Sequence, residues 1–130
     1  MERLIQEDYV SEPWKMLVCC ILLNQTNNKQ VRKVLPELFE IIPSPEKASD
    51  ENLISEVQQI IKSTGFSKIK SERIFQMSQK WVDGFQIVTE LPGIGRYASD
   101  SWEIFIKNNV SLEVTDKKLK LYLESLNHSN

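Results

Sequence analysis

From Pro13 the chain reads P-W-K-M-L-V-C-C-I-L-L, apolar at nearly every position and too long for an ordinary buried strand. Such a run predicts a helix buried on all sides, with Ser11 as its cap and Pro13 in its first turn. Five polar, uncharged residues at 24–28 interrupt it. A second, amphipathic helix is expected over about Lys29 to Ile42, kinked at Pro36 and ended by Pro43 and Pro45. Leu53, Ile54, Val57, Ile60 and Ile61 keep helical spacing behind Asp50, and Gly65 is placed to close that helix. Phe66 to Lys70 is expected as a short loop, and the next helix runs from about Ser71 to Val82 and stops at Gly84. A helical turn at Thr89 to Leu91 leads into Pro92-Gly93-Ile94-Gly95. Beyond it, Trp102, Phe105 and Ile106 predict a helix over Tyr97 to Ile106. A last helix from Thr115 or Asp116 to Leu126 repeats apolar residues at 119, 122, 123 and 126. Nothing alternates for long enough to make more than an isolated strand, so the expected fold is all-α, a compact helical bundle.

Composition narrows this picture. The 130 residues, 41% of them apolar, suit one domain over 1–130 with one core. The formal charge of −2 argues against a protein that coats nucleic acid, but the charge is unevenly spread. Residues 1–60 hold 6 Lys/Arg against 10 Asp/Glu, and residues 61–130 hold 10 against 8, so the second half is the better phosphate-facing surface. Cys19 and Cys20 are adjacent in the apolar run and read as two small buried residues in a reducing compartment. With His128 the only histidine, they cannot assemble a zinc site or an iron–sulfur cluster. The longest apolar stretch, Met16 to Leu23, falls well short of the ~20 residues that cross a bilayer, so no membrane partner is expected.

The sharpest local signal is Leu91-Pro92-Gly93-Ile94-Gly95-Arg96-Tyr97 between two helical segments. Two glycines flanking an aliphatic residue permit a very tight turn, and free amides at the start of the next helix form an anion site. A bare G-I-G is more often a plain connection between packed helices. The longer string, followed by a helix, resembles the hairpin of helix-hairpin-helix DNA-binding proteins, and that resemblance implies a phosphate site formed by Gly93, Ile94, Gly95 and Arg96. Asp116 stands 19 residues after Tyr97 in Val114-Thr115-Asp116, where the last helix should begin. On spacing alone it reads as a helix N-cap.

A hairpin of this kind, followed after about one helix by V-x-D and an apolar helix, resembles the helix-hairpin-helix DNA glycosylase superfamily. The likeness is greatest to the glycosylase domains of its methyl-CpG-binding thymine glycosylase branch, which lack an iron–sulfur cluster. Leu4-Ile5-Gln6-Glu7-Asp8-Tyr9, Pro13-Trp14-Lys15, Leu23-Asn24-Gln25-Thr26, Gly65-Phe66 and Tyr97-x-x-Asp100-Ser101 carry it along nearly the whole chain.

The resemblance implies a nucleotide extruded from double-stranded DNA into a pocket, cheapest for a mismatched base. It implies Asp116 as the catalytic carboxylate that offsets positive charge on the sugar and orients the attacking water. It places Gln6, Tyr97 and Lys118 against the flipped base or beside Asp116, and Gln25 and Phe66 in the hole and wedge positions within the duplex. Relatives carry arginine and leucine at those last two positions. Phe66 also reads as core packing, and Gln25 as a solvated amide. Bifunctional relatives have a lysine nucleophile where this chain has Tyr97, and a phenol forms no Schiff base. The expectation is therefore a monomeric, monofunctional mismatch glycosylase of the nucleus, removing thymine or uracil opposite guanine without a cofactor or metal. The alternatives are a non-catalytic helix-hairpin-helix module that only grips DNA and a helical protein-interaction domain. Lys68, Lys70 and Arg73 read as phosphate contacts or as a solvated helix face. Trp14, Trp81 and Trp102 read as core.

Overall fold

The structure, a computed structural model, describes residues 2–128, with the His128 side chain set aside. Every regular element among the described residues is helical. A 3₁₀ turn, Ile5–Tyr9, precedes α1 (Pro13–Leu22), α2 (Asn28–Ile41) and α3 (Pro45–Ala48). A turn at Glu51–Leu53 leads into α4 (Ile54–Ile60), and one at Lys62–Thr64 into α5 (Ser67–Asp83). After the turn Val88–Glu90 come α6 (Arg96–Ser101), its π-helical continuation Trp102–Ile106, and α7 (Lys117–His128).

The all-apolar run makes α1 the centre of the bundle. Trp14 and every residue from Met16 to Leu22 are buried, and α1 packs against the Ile5–Tyr9 turn, α5, α6 and the π segment. Full burial of a side chain such as Leu17 or Leu22 stabilises by about 1.5–3 kcal/mol over leaving it exposed. One buried polar contact ties α1 to α5: Trp14 Nε1 donates to Ser78 Oγ at 3.0 Å. Trp81 and Trp102 are half-buried and meet Phe85 in an aromatic cluster.

Several boundaries differ from the sequence expectation for identifiable reasons. Glu12, not Ser11, occupies the cap position of α1, without a side-chain hydrogen bond, while Pro13 does open the first turn. Helix α2 runs through Pro36 without ending there, because Val31, Val34, Leu35 and Leu38 on both sides of it are packed into the core. The expected loop over 66–70 contracts to one residue. Phe66 adopts a left-handed conformation directly after Gly65 (φ 78°), reversing the chain at once, so α5 starts at Ser67. The Ile5–Tyr9 turn and α3 are too short to produce a readable hydrophobic period.

Candidate active site

The hairpin is built on Gly93, whose φ of 80° suits glycine, and a Cβ there would lie 3.3 Å from the Arg73 Cβ. Gly95 then enters α6 with no side-chain cap, leaving first-turn N–H groups without helical partners. Gly93, Gly95 and Arg96 are exposed and Ile94 half-buried. The Arg96 Nε lies 3.5 Å from Asp100 Oδ2, one turn along the same helix.

This hairpin forms one wall of a groove of about 890 Å³. The loop after α1, including Asn24, Gln25, Thr26 and Asn27, also lines it, together with Arg73 and the start of α7. Asp116, Tyr97, Lys118, Gln25, Gly93, Ile94, Gly95 and Arg96 are thus brought to one concavity from three separate stretches of chain.

Asp116 caps α7. Its Oδ2 accepts the Leu119 N–H at 3.0 Å, and its carbonyl accepts that of Lys120. The cap fixes the carboxylate at the groove without burying it, since Asp116 is half-exposed and lines the cavity. Among the described residues it forms no ion pair. Lys118 lines the same groove and places its Nζ 3.1 Å from Glu2 Oε2. Glu2 also accepts from Asn28 Nδ2 at 3.2 Å, so the first residues of the chain link α2 to α7. The Asn28 and Lys118 hydrogen bonds hold the Glu2 carboxyl below its ordinary range.

Gln6 lies behind the groove wall, fully buried. Its Nε2 donates to Tyr97 Oη at 2.6 Å and to Ser101 Oγ at 3.2 Å, while Oε1 has no partner. An unpaired buried carbonyl oxygen is unfavourable, by about 1–3 kcal/mol, unless an incoming group satisfies it. Burial pushes the Tyr97 phenol well above its usual range, with Cys20 and the Asp116 charge adding to the effect, so it stays neutral. The turn carrying Gln6 is anchored through Asp8, 2.7 Å from both Arg3 Nε and Arg32 Nη1. Burial draws the Asp8 carboxyl upward, but the Arg32 and Arg3 hydrogen bonds prevail and hold it low.

Gln25 and Phe66 share an unusual backbone, with φ of 55° and 49°. Left-handed conformations in non-glycine residues are uncommon and cluster where function demands them. Phe66 is 56% exposed, so it does not pack in the core, and it lies outside the groove lining. Ser101, one turn beyond Tyr97 on the same face of α6, carried the legible signal of an i,i+4 partner that the sequence reading did not use. Arg73 lines the groove and is exposed, as a phosphate contact needs to be, whereas Lys70 is fully buried and cannot be one.

The sequence signature of the HhH-GPD superfamily base excision DNA repair proteins matches residues 18–127. The chain belongs to that superfamily. It is 34% identical over 126 residues to the methyl-CpG-binding domain protein 4-like protein of Arabidopsis thaliana, covering 95% of this chain and 28% of that one. It is 29% identical to a thymine/uracil-DNA glycosylase of Pyrobaculum aerophilum, over 68% of this chain and 41% of that one. Against the endonuclease III of Thermotoga maritima the identity is also 29%, over 66% and 44%. The chain therefore spans less than half the length of each of these relatives.

Proposed function

We propose that this chain is a monofunctional DNA glycosylase domain that hydrolyses the bond between deoxyribose and a thymine or uracil mispaired with guanine in double-stranded DNA. The observation that carries the proposal is the half-exposed Asp116 carboxylate, held by its own helix cap on the groove that the glycine hairpin walls. In this reading the N–H groups around Gly93, Ile94 and Gly95, with Arg96, grip a phosphate beside the lesion. The everted nucleotide enters the groove with its sugar toward Asp116, and Tyr97, backed by Gln6, meets the base edge. As the base departs, the free Asp116 oxygen offsets the cationic sugar and accepts the proton of the attacking water. Lys118, released from Glu2, serves beside it, and Gln25 and Phe66 enter the duplex where the nucleotide has left. The left-handed backbone and the exposure of both residues favour this role.

A monofunctional outcome follows from Tyr97, which offers no amine for a Schiff base. The thymine and thymine/uracil activities named in relatives of modest identity support the substrate class. We read residues 1–130 as one domain, acting as a monomer without a cofactor, and in the nucleus if the source is eukaryotic. Asp116→Asn tests the chemistry. Asparagine caps a helix as well as aspartate does, so fold and mismatch binding persist, while single-turnover base release falls by at least about a thousandfold. A mutant as active as the parent would remove Asp116 from the chemistry, and a parent chain that binds the mismatch without releasing a base would be a DNA-gripping module.

A further inference from the structure

Lys70 is the fully buried charged residue among those described, and no phosphate or substrate can reach it. Its Nζ donates to the Leu22 carbonyl at 2.7 Å and to the Thr64 carbonyl at 2.8 Å. Both carbonyls end helical segments, α1 and the Lys62–Thr64 turn, where no further helical N–H arrives and a positive charge is favoured. Burial alone lowers its pKa, to about 8, and no ionised side chain from the elements packed around it contributes. A buried ammonium without a carboxylate is a poor way to gain stability, since an apolar side chain of similar size avoids the desolvation.

What the ammonium joins is more informative. Three residues beyond Leu22 stands Gln25, and two beyond Thr64 stands Phe66, both left-handed. The two attachment points are far apart in sequence, and Lys70 itself lies 48 residues from Leu22. Its backbone N–H also donates to the Phe66 carbonyl at 2.9 Å, so one residue brackets Gly65 and Phe66 from both sides. Strained conformations of this type persist only where surrounding contacts over-determine them.

We infer that Lys70 is a positioning residue that yokes the loop after α1 to the Gly65–Phe66 turn, so that Gln25 and Phe66 engage DNA as one unit. The inference rests on the proposed insertion role of those two side chains. Neither pairs with Lys70 directly; it acts through the carbonyls at the roots of their segments.

The test is a double-mutant cycle on binding to a duplex carrying a tetrahydrofuran abasic analogue opposite guanine. Gln25→Ala and Phe66→Ala are measured singly and together, in the parent chain and in Lys70→Met and Lys70→Arg backgrounds. Each single change is expected to weaken binding roughly tenfold, and the pair together by well under the roughly hundredfold product of independent sites. In Lys70→Met the two losses multiply, whereas Lys70→Arg, with donors for both carbonyls, retains the coupling. Losses that multiply in the parent chain overturn the yoke, and this holds even if neither Lys70 variant folds. A Lys70→Met protein that binds more weakly yet keeps the coupling also overturns it, because the lysine is then only structural. If the single changes leave binding unaltered, it is the insertion reading that fails.

Discussion

On the hairpin side of the groove, Asp116 and Tyr97 are held by hydrogen bonds of 3.0 and 2.6 Å on helices of ordinary backbone. Gln25 and Phe66 sit instead in left-handed backbone, and Phe66 reaches into solvent. In the proposed reaction a carboxylate and a phenol must be locked by neighbours; the Leu119 N–H holds Asp116, and Gln6 holds Tyr97. Entering a base stack calls for side chains thrown outward, which a left-handed residue achieves at some strain. The strain is then confined by contacts at the roots of the segments, those of Lys70 among them.

If the two regions divide the labour in this way, substitutions should separate them. Tyr97→Phe leaves a buried Gln6 amide short of its nearest partner, and single-turnover base release is expected to fall about thirtyfold with duplex affinity little changed. Equal losses in both measurements would erase the distinction. Phe66→Ala is expected to do the reverse, weakening binding to an abasic duplex about tenfold while thermal stability stays within about 0.5 kcal/mol, because the ring is mostly exposed. A large fall in melting temperature would return Phe66 to the core. A separate effect is on pH dependence. Lys70 ionises near pH 8 in the fold and near 10.5 as an ordinary lysine, so between these values the unfolded chain binds more protons. This group therefore adds stability as pH rises through that window. In urea unfolding at pH 7.5 and pH 10, the stability of the parent chain relative to Lys70→Met should increase at the higher pH, and an unchanged difference would place the ammonium in water.

Much of this was readable from the sequence, and what was not has a common cause. The α1 run, the hairpin string and the start of α7 are contiguous signals, and each produced the expected element close to its expected place. The Gln6–Tyr97 bond joins residues 91 apart, and only family resemblance, not periodicity, brought them together. Lys70 looked like one more cation on an amphipathic helix because its burial depends on two carbonyls contributed by other elements. Family resemblance put Lys118 beside Asp116, and both line the groove, but the ion pair of Lys118 with Glu2 joins residues 116 apart and left no local signal in the sequence. The loop expected at 66–70 shrank because a single phenylalanine accepted a conformation that sequence rules reserve for glycine.

The most direct measurement is incubation of the protein with duplexes containing a single G:T, G:U, A:U or A:oxidised-guanine pair, followed by gel analysis with and without hot alkali. The account predicts strand scission at the G:T and G:U duplexes only, and only after alkali, since the product is an intact strand with an abasic site. Scission without alkali, or release confined to the oxidised-guanine duplex, would contradict it.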